Sequence, residues 1–381
     1  NVYDQDYTSV LKSLYKETKF SNLYINNTYD PEIDAIDNFI NKEFESLFKI
    51  NSYNSSLLFN PNEVLNNAGS FFKVYTPFWK NALNKLNLRE PLPLPNIKYV
   101  YQKDILSLKN VAISDINENW GEKILSYFNP GEVSAREMLA QTSTNIKGYS
   151  EGRDFPIKNN TSQLSPYIAR GELSVNEIFY LMKKNKKKIN INDYTKFTSQ
   201  LGWREFSYNI LYNFPKLPRK NFISKFDNFP WSKNSKLLNL WKKGLTGYPI
   251  VDAGMRELRT TGYMHNRLRM IVASFLIKNL NISWVEGAKW FWENLFDADI
   301  ANNSSGWQWV AGCGTDAAPY FRIFNPTLQS LRFDKDGEYI RNWVPELKDL
   351  PNKFIHSPWE LTEMELLTYN LKLGKDYPHP I

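Results

Sequence analysis

Cysteine is almost absent from this 381-residue chain: Cys313 stands alone. One thiol excludes an internal disulfide framework and fits a reducing compartment. Histidine is nearly as scarce. His265, His356 and His379 are too few and too scattered for a histidine-based metal site, and Cys313 has no second thiol to share a metal. No uninterrupted apolar run reaches the ~18 residues of a membrane-spanning helix. There is no signal-peptide pattern and no initiator Met, so the chain, opening on Asn1, reads as a fragment that begins within a domain.

Aromatic residues are what the chain has in excess: 12 Trp, 22 Tyr and 24 Phe, 15% of all positions. Most of these rings must build core, but such content also serves stacking on bases and other flat rings. The net charge of +7 suits a polyanionic partner. A protein that is merely basic would carry the same charge.

Residues 1–90 read as alternating helix and strand. Helical spacing runs over Asp6–Lys19 through Val10, Leu11 and Leu14, Phe20–Ile25 reads as a short strand, and Asp30-Pro31 opens a helix to about Phe48. Leu57–Phe59 reads as a second strand, and Thr76-Pro77 as a capped helix start. This alternation predicts part of an α/β layer with a parallel sheet. Pro91-Leu92-Pro93-Leu94-Pro95 cannot continue a helix, and a linker is expected to about residue 115. From 116 to 381 the periodicity is helical, best over Arg136–Leu139, Leu173–Met182, Tyr194–Tyr212, Met255–Leu258, Asn266–Leu280 and Trp284–Phe296. The basic run Lys183–Lys188 reads as a solvated helix end.

The densest chemistry lies in Asp297-Ala298-Asp299-Ile300-Ala301-Asn302-Asn303-Ser304-Ser305-Gly306-Trp307-Gln308-Trp309. A buried carboxylate is costly without a partner, so acids and amides beside two indoles mark a polar site lined by aromatics. Upstream, Thr161-Ser162-Gln163-Leu164-Ser165-Pro166 gathers hydroxyls at a helix start, with Ser165 a natural N-cap. Hydroxyls and free N–H groups there form an anion site, or simply cap the helix. Ser174-x-x-Glu177 is a second capping box with a structural role. Asn266 and Met270 stand one turn apart on one helix face. Gly202-Trp203-Arg204-Glu205-Phe206 lies inside a helix.

In order and in interval, these strings resemble the DNA photolyase and cryptochrome family. Asp297–Trp309 is similar to its flavin-proximal segment, and Tyr149 with Thr161-Ser162-x-Leu164-Ser165 to its flavin phosphate clamp. Trp241-Lys242-Lys243-Gly244-Leu245-Thr246-Gly247-Tyr248-Pro249-Ile250-Val251-Asp252-Ala253 resembles a family hallmark with a mainly architectural role. The likeness runs from about Asp30 to residue 381. It implies a partial Rossmann-like parallel α/β antenna domain (1–90), a linker (91–115) and a helical FAD-binding catalytic domain (116–381).

The resemblance implies FAD, reduced and anionic in the active form. Its shell would be Tyr149, Thr161, Ser162, Gln163, Leu164, Ser165, Phe197, Arg204, Asn266, Arg269, Asp297, Ala298, Asp299 and Asn303, with Arg269 paired to Asp297. Asn303 would face flavin N5, where an amide adds no charge and tolerates an anionic flavin. Trp307, Trp284 and Trp231 would form an electron-hopping chain from the flavin to the surface, although spacing alone makes them ordinary core tryptophans. Trp203, Trp309, Gln200, Asn266 and Met270 would line a lesion pocket. Arg153, Arg267, Arg322 and Gln329 would contact the DNA backbone.

Within the family, (6-4) enzymes carry His at the positions of Asn266 and Met270; neither is His here. Trp307-Gln308-Trp309, Met270 and Gly314-Thr315-Asp316-Ala317-Ala318-Pro319-Tyr320 look like bacterial-type, class I cyclobutane-dimer photolyases. The expected activity is therefore light-driven repair of cyclobutane pyrimidine dimers in UV-damaged DNA, and the alternative is a cryptochrome-type blue-light photoreceptor. Gln200 stands where a Glu usually bonds the lesion, and Tyr263 where a Trp is usual. Ile33 occupies the place of a folate-binding Glu, so no antenna chromophore is assigned. A cytoplasmic, nucleoid-associated monomer with no membrane partner is expected.

Overall fold

The computed structural model describes residues 6–93, 95, 96, 98, 118–158 and 160–381. Asp6 caps α1 (Tyr7–Thr18), its carboxylate accepting from the Ser9 N–H at 2.9 Å. Two strands follow, β1 (Asn22–Asn26) and β2 (Lys49–Tyr53), paired in parallel with Leu23 opposite Ile50. They are joined by α2 (Pro31–Phe44), which Asp30 caps and Pro31 opens. Ile40, Phe44 and Phe48 form a small core of their own with Leu11, Tyr15, Phe20, Leu23 and Ile50.

The second strand is not where the sequence put it. Leu57–Phe59 is a bend, and β2 lies earlier, in the polar string Lys-Ile-Asn-Ser-Tyr. The Leu58 and Phe59 N–H groups donate to the Glu205 carboxylate, at 2.9 and 3.4 Å, rather than to a neighbouring strand. A short apolar triplet signals burial, and here burial is against helices. Thr76 likewise does not cap: α3 (Tyr75–Lys85) starts after Val74 with no side-chain cap bond, and Pro77 sits in its first turn. Leu57, Phe59, Val64, Phe78, Trp79 and Ala82 share one core with side chains from 135 to 217. We propose that the α/β unit ends near Tyr53 and that 57–86 belong to the helical body. The expected linker, 91–115, falls mostly outside the described residues.

The helical body contains α4 (Glu118–Leu125), α5 (Glu132–Thr144), α6 (Tyr149–Gly152), α7 (Ser165–Ala169), α8 (Val175–Asn185) and α9 (Ile191–Asn213). It continues with α10 (Ser235–Lys243), α11 (Pro249–Thr261), α12 (Asn266–Ser274), α13 (Trp284–Asn294) and α14 (Ile300–Ala311). The last three are α15 (Pro326–Phe333), α16 (Glu338–Trp343) and α17 (Glu363–Thr368). The helix expected over Asn266–Leu280 is α12 followed by a π-turn, Phe275–Asn279. Of the Ser174-x-x-Glu177 box, the Ser174 half caps α8, accepting from the Asn176 N–H at 3.2 Å.

At 23 residues α9 is about 34 Å long. Helices α3, α6 and α14 all pack on it. Helix α14 belongs to two cores: Ala301 joins the one built on α3, α5, α8 and α9, whereas Trp307, Val310 and Ala311 join the one built on α11–α13 and the C-terminal helices. The functional cavity opens along this seam.

Candidate active site

A cavity of about 620 Å³ runs between the two cores, in the size range of cofactor pockets. Tyr149, Thr161, Ser162, Gln163, Leu164, Ser165, Phe197 and Arg204 line it from one side, and Asn266, Arg269, Asp297 and Asp299 from the other. A smaller cavity of about 160 Å³ shares Asn266, Arg269, Asp297 and Asp299 and adds Ala298, Asn303 and Trp307. Residues up to 166 positions apart in sequence, Tyr149 to Thr315, thus converge on one cleft.

One end is held by a carboxylate the sequence reading missed. Asp193, at the start of α9, accepts from the Gly148 N–H (3.0 Å), the Ser150 N–H (2.7 Å) and the Ser150 hydroxyl (2.7 Å). Burial opposes its charge, but these donors win and lower its pKa. They fix the turn that presents Tyr149, whose ring meets Phe197 edge-on at 5.5 Å. Across the cleft, the expected Ser165 N-cap is not one. Leu164 occupies the cap position of α7, and the Ser165 hydroxyl donates to Asp297 Oδ2 at 2.7 Å. A carboxylate is the stronger acceptor, so the hydroxyl becomes a donor across the cleft.

Arg269 and Asp297 form the expected pair. Nη2 reaches both carboxylate oxygens, at 3.0 and 2.9 Å, and Nε donates to the Met264 carbonyl at 2.7 Å. Burial works against the guanidinium charge, yet the Asp297 carboxylate holds the Arg269 pKa above its ordinary value. Asp299 caps α14 through Oδ1, accepting from the Asn302 N–H at 2.8 Å, while Oδ2 accepts from the Tyr208 hydroxyl at 2.7 Å. Burial and the nearby Asp299 charge keep Tyr208 protonated by raising its pKa. The Asn303 amide is oriented by its Nδ2 donating to the Ala288 carbonyl at 2.9 Å.

Arg204 donates to the Ser56 carbonyl (2.7 Å) and lies against the Tyr208 ring (4.7 Å). Its neighbour Glu205 is buried, which pushes its carboxyl up to about 7 despite the Arg204 charge and the Leu58 and Phe59 donors. His265, buried at the start of α12, is pushed down to about 4 and stays neutral.

The outer wall of the larger cavity carries Gln200, Trp203, Met270, Trp309, Arg153 and Arg267. Gln200 turns its amide nitrogen toward Ser199 Oγ (3.1 Å) and the Lys196 carbonyl (3.3 Å). Arg267 pairs with Asp154 at 3.0 Å and lies over the Phe333 ring at 4.3 Å; Arg153 lies 3.8 Å from the same carboxylate. Both arginines are mostly buried, so Asp154 partly offsets the charge they offer a phosphate. Arg322 is exposed and Gln329 half-buried, and neither lines these two cavities. Asp154, Lys196, Tyr263, Asn302 and Thr315 line the larger cavity without having been assigned a place in it from sequence. Asn302 had a local signal, lying three residues after the capping Asp299, and Tyr263 and Thr315 stand in strings already noted in the sequence.

Of the three tryptophans singled out in the sequence, two are buried and one is half-buried. Trp307 is buried (3% exposed) and packs on Gly287 of α13. Trp284, three residues earlier on that helix, is buried (1%) and donates from Nε1 to Asn221 Oδ1 at 2.9 Å. Trp231 is half-buried beside Phe229, in a segment whose Ser232 pairs with Ile282.

The cleft is built for a polar ligand with ring systems. Arg153 Nε, Arg204 Nε, Arg267 Nε and Ser305 Oγ are buried at its wall with no hydrogen-bond partner. Such orphans are costly unless a ligand satisfies them. Hydroxyls at one end, a guanidinium–carboxylate pair in the middle and an amide at the smaller cavity fit the phosphates, ribityl chain and ring of FAD.

Comparison with known proteins agrees. The family described as the FAD binding domain of DNA photolyase matches residues 197–381, and that described as DNA photolyase matches residues 1–96. The chain is 42% identical over 381 residues to a deoxyribodipyrimidine photo-lyase of Agrobacterium fabrum, covering 99% of this chain and 79% of the relative. It is similar to the crystal structure of a bacterial class III photolyase from Agrobacterium tumefaciens, with 41% identity, a TM-score of 0.91, and 99% and 79% of the two chains covered. A Synechocystis cryptochrome structure matches at 31% identity and a TM-score of 0.84, with 98% and 78% covered. The likeness to a class III structure does not support the expected class I subtype. The chain belongs to the DNA photolyase and cryptochrome family.

Proposed function

We propose that this chain is a light-driven deoxyribodipyrimidine photo-lyase that opens cyclobutane pyrimidine dimers in UV-damaged DNA. One observation carries the reading: a flavin-suited cleft and an aromatic outer wall, Trp203 and Trp309, share one cavity. Bound in its reduced form, FAD supplies on blue-light excitation the electron that opens the cyclobutane ring and takes it back afterwards. The chain's residues position and tune. Tyr149, Thr161, Ser162, Gln163, Leu164 and Ser165 hold the phosphate end, and Asp193 fixes their geometry. Arg269 offers a cation to an anionic ring, with Asp297 tempering it. Asn303 faces the ring as a neutral amide.

The lesion leaves the duplex and lies between Trp203 and Trp309, above Met270 and Asn266 and beside Gln200. Extrusion costs a few kcal/mol, less at a damaged pair. Contacts to phosphates from Arg322 and the Arg153/Arg267 pair offset this cost and make affinity salt-dependent. Trp231, Trp284 and Trp307 serve reduction of oxidised flavin from the surface. A monomer suffices for one cleft and one lesion. The lone buried thiol, Cys313, suits a cytoplasmic protein working at the nucleoid.

The test uses reduced, flavin-loaded protein, a thymine-dimer duplex and blue light, with recovery of thymine absorbance followed against dark and (6-4) controls. Recovery with the dimer alone is expected. No recovery despite bound, photoreducible flavin would favour the photoreceptor reading, which the cryptochrome likeness supports.

A further inference from the structure

Tyr75, the first residue of α3, makes three contacts that no local pattern announces. Its ring stacks flat on Trp203, with centroids 3.7 Å apart and planes 9° apart. Its hydroxyl donates to the Ser199 carbonyl at 2.8 Å, and its backbone N–H donates to Asp316 Oδ2 at 3.1 Å. Phe206 meets both rings edge-on, at 6.0 Å from Tyr75 and 5.9 Å from Trp203. Trp203 lines the main cavity and Tyr75 does not, so the tyrosine supports the indole from outside it.

Asp316 is itself held. It takes φ +48, a region that residues other than glycine seldom adopt. Lys278 donates to the Ala311 and Tyr320 carbonyls, at 3.0 and 2.9 Å, and so ties both ends of the loop carrying Asp316. Thr315 of this loop lines the same cavity.

We propose that Tyr75 is a positioning residue for lesion recognition, stacked behind Trp203 and anchored by Ser199 and Asp316 so that the indole plane is set before the dimer arrives. This rests on the reading of Trp203 as a wall of the lesion pocket. An indole ordered in advance loses little freedom on binding, whereas an unsupported one must be immobilised by the ligand. Removing the stacked ring should weaken dimer binding roughly three- to tenfold.

The experiment measures affinity for a thymine-dimer duplex and for the same duplex undamaged, using flavin-loaded protein. Tyr75→Leu should lower the dimer-to-undamaged ratio by that factor, with flavin content and undamaged-DNA affinity unchanged. Tyr75→Phe, which keeps the ring, should retain the ratio within about twofold. In a Trp203→Ala background, Tyr75→Leu should cause no further loss of preference, whereas a general structural role would give additive losses. Should Tyr75→Leu not hold flavin, Tyr75→Met is read in the same way. A wild-type ratio in the flavin-loaded Leu or Met variant overturns the proposal. A wild-type protein with no preference for the dimer overturns the repair reading on which it rests.

Discussion

Gly287 sets the position of Trp307, and Gly287→Ala should disturb it. A Cβ on Gly287 would stand 2.1 Å from Trp307 Cη2, 2.4 Å from Cζ3 and 2.7 Å from Cζ2. Carbon atoms rest at about 3.5–4.0 Å, so methyl and ring must separate by roughly 1.4 Å. The ring has little room to retreat, being met edge-on by Phe291 at 4.9 Å and Trp241 at 6.2 Å. Two effects oppose. Alanine in a helix interior is favoured over glycine by about 1 kcal/mol. Overpacking a filled core costs about 1–3 kcal/mol, and three overlapping ring atoms place this site in the upper half. Sterics should win by about 1–2 kcal/mol, lowering Tm by roughly 1–3 °C in a chain of this length. The displaced indole should also slow photoreduction of oxidised flavin, while dimer affinity, set at the other wall, holds. A thermal scan, a photoreduction time course with external reductant and a dimer-binding titration would read all three. A variant with wild-type Tm and wild-type photoreduction would refute the packing argument.

Trp309→Ala should weaken dimer binding, whereas Trp307→Phe should leave binding intact and block photoreduction; equal dimer affinity in Trp309→Ala would sink the pocket assignment. Arg322→Ala should weaken damaged and undamaged DNA alike and reduce the salt slope by about 1. Loss of lesion preference alone would argue against a phosphate contact there. The half-buried Glu257 accepts from the Tyr339 hydroxyl at 2.6 Å, and desolvation of its carboxyl raises it to about 7 from 4.5. A raised folded pKa means stability is complete below the unfolded value and is lost as pH rises through about 7. The Tm of Glu257→Gln relative to wild type should therefore climb from about pH 5 to about pH 8. A difference flat across that window would show that Glu257 does not ionise with this penalty.

Local strings carried much of the site. Helix α14 begins at a capping Asp and carries Asn303 and Trp307 on one face and Trp309 on another, all of which is written in 13 consecutive residues. Helix spans in the C-terminal part were legible because an apolar stripe repeats every three or four residues. The strand near Leu57 failed for the converse reason. Three apolar residues say that a segment is buried but not against what, and the carboxylate that takes its N–H groups lies 147 positions away.

The sequence by itself therefore determined the family, the helical character of the larger part and the chemical inventory of the cleft, because these reside in short-range order and residue type. The tertiary structure alone decided which groups meet. Ser165 leaves its cap for Asp297, 132 positions on, and Asp193 reaches back 43 to Ser150. Tyr75 slides behind Trp203, and Gly287 makes room for Trp307. Each of these depends on how two cores close around α9 and α14, a long-range packing outcome that no local periodicity encodes.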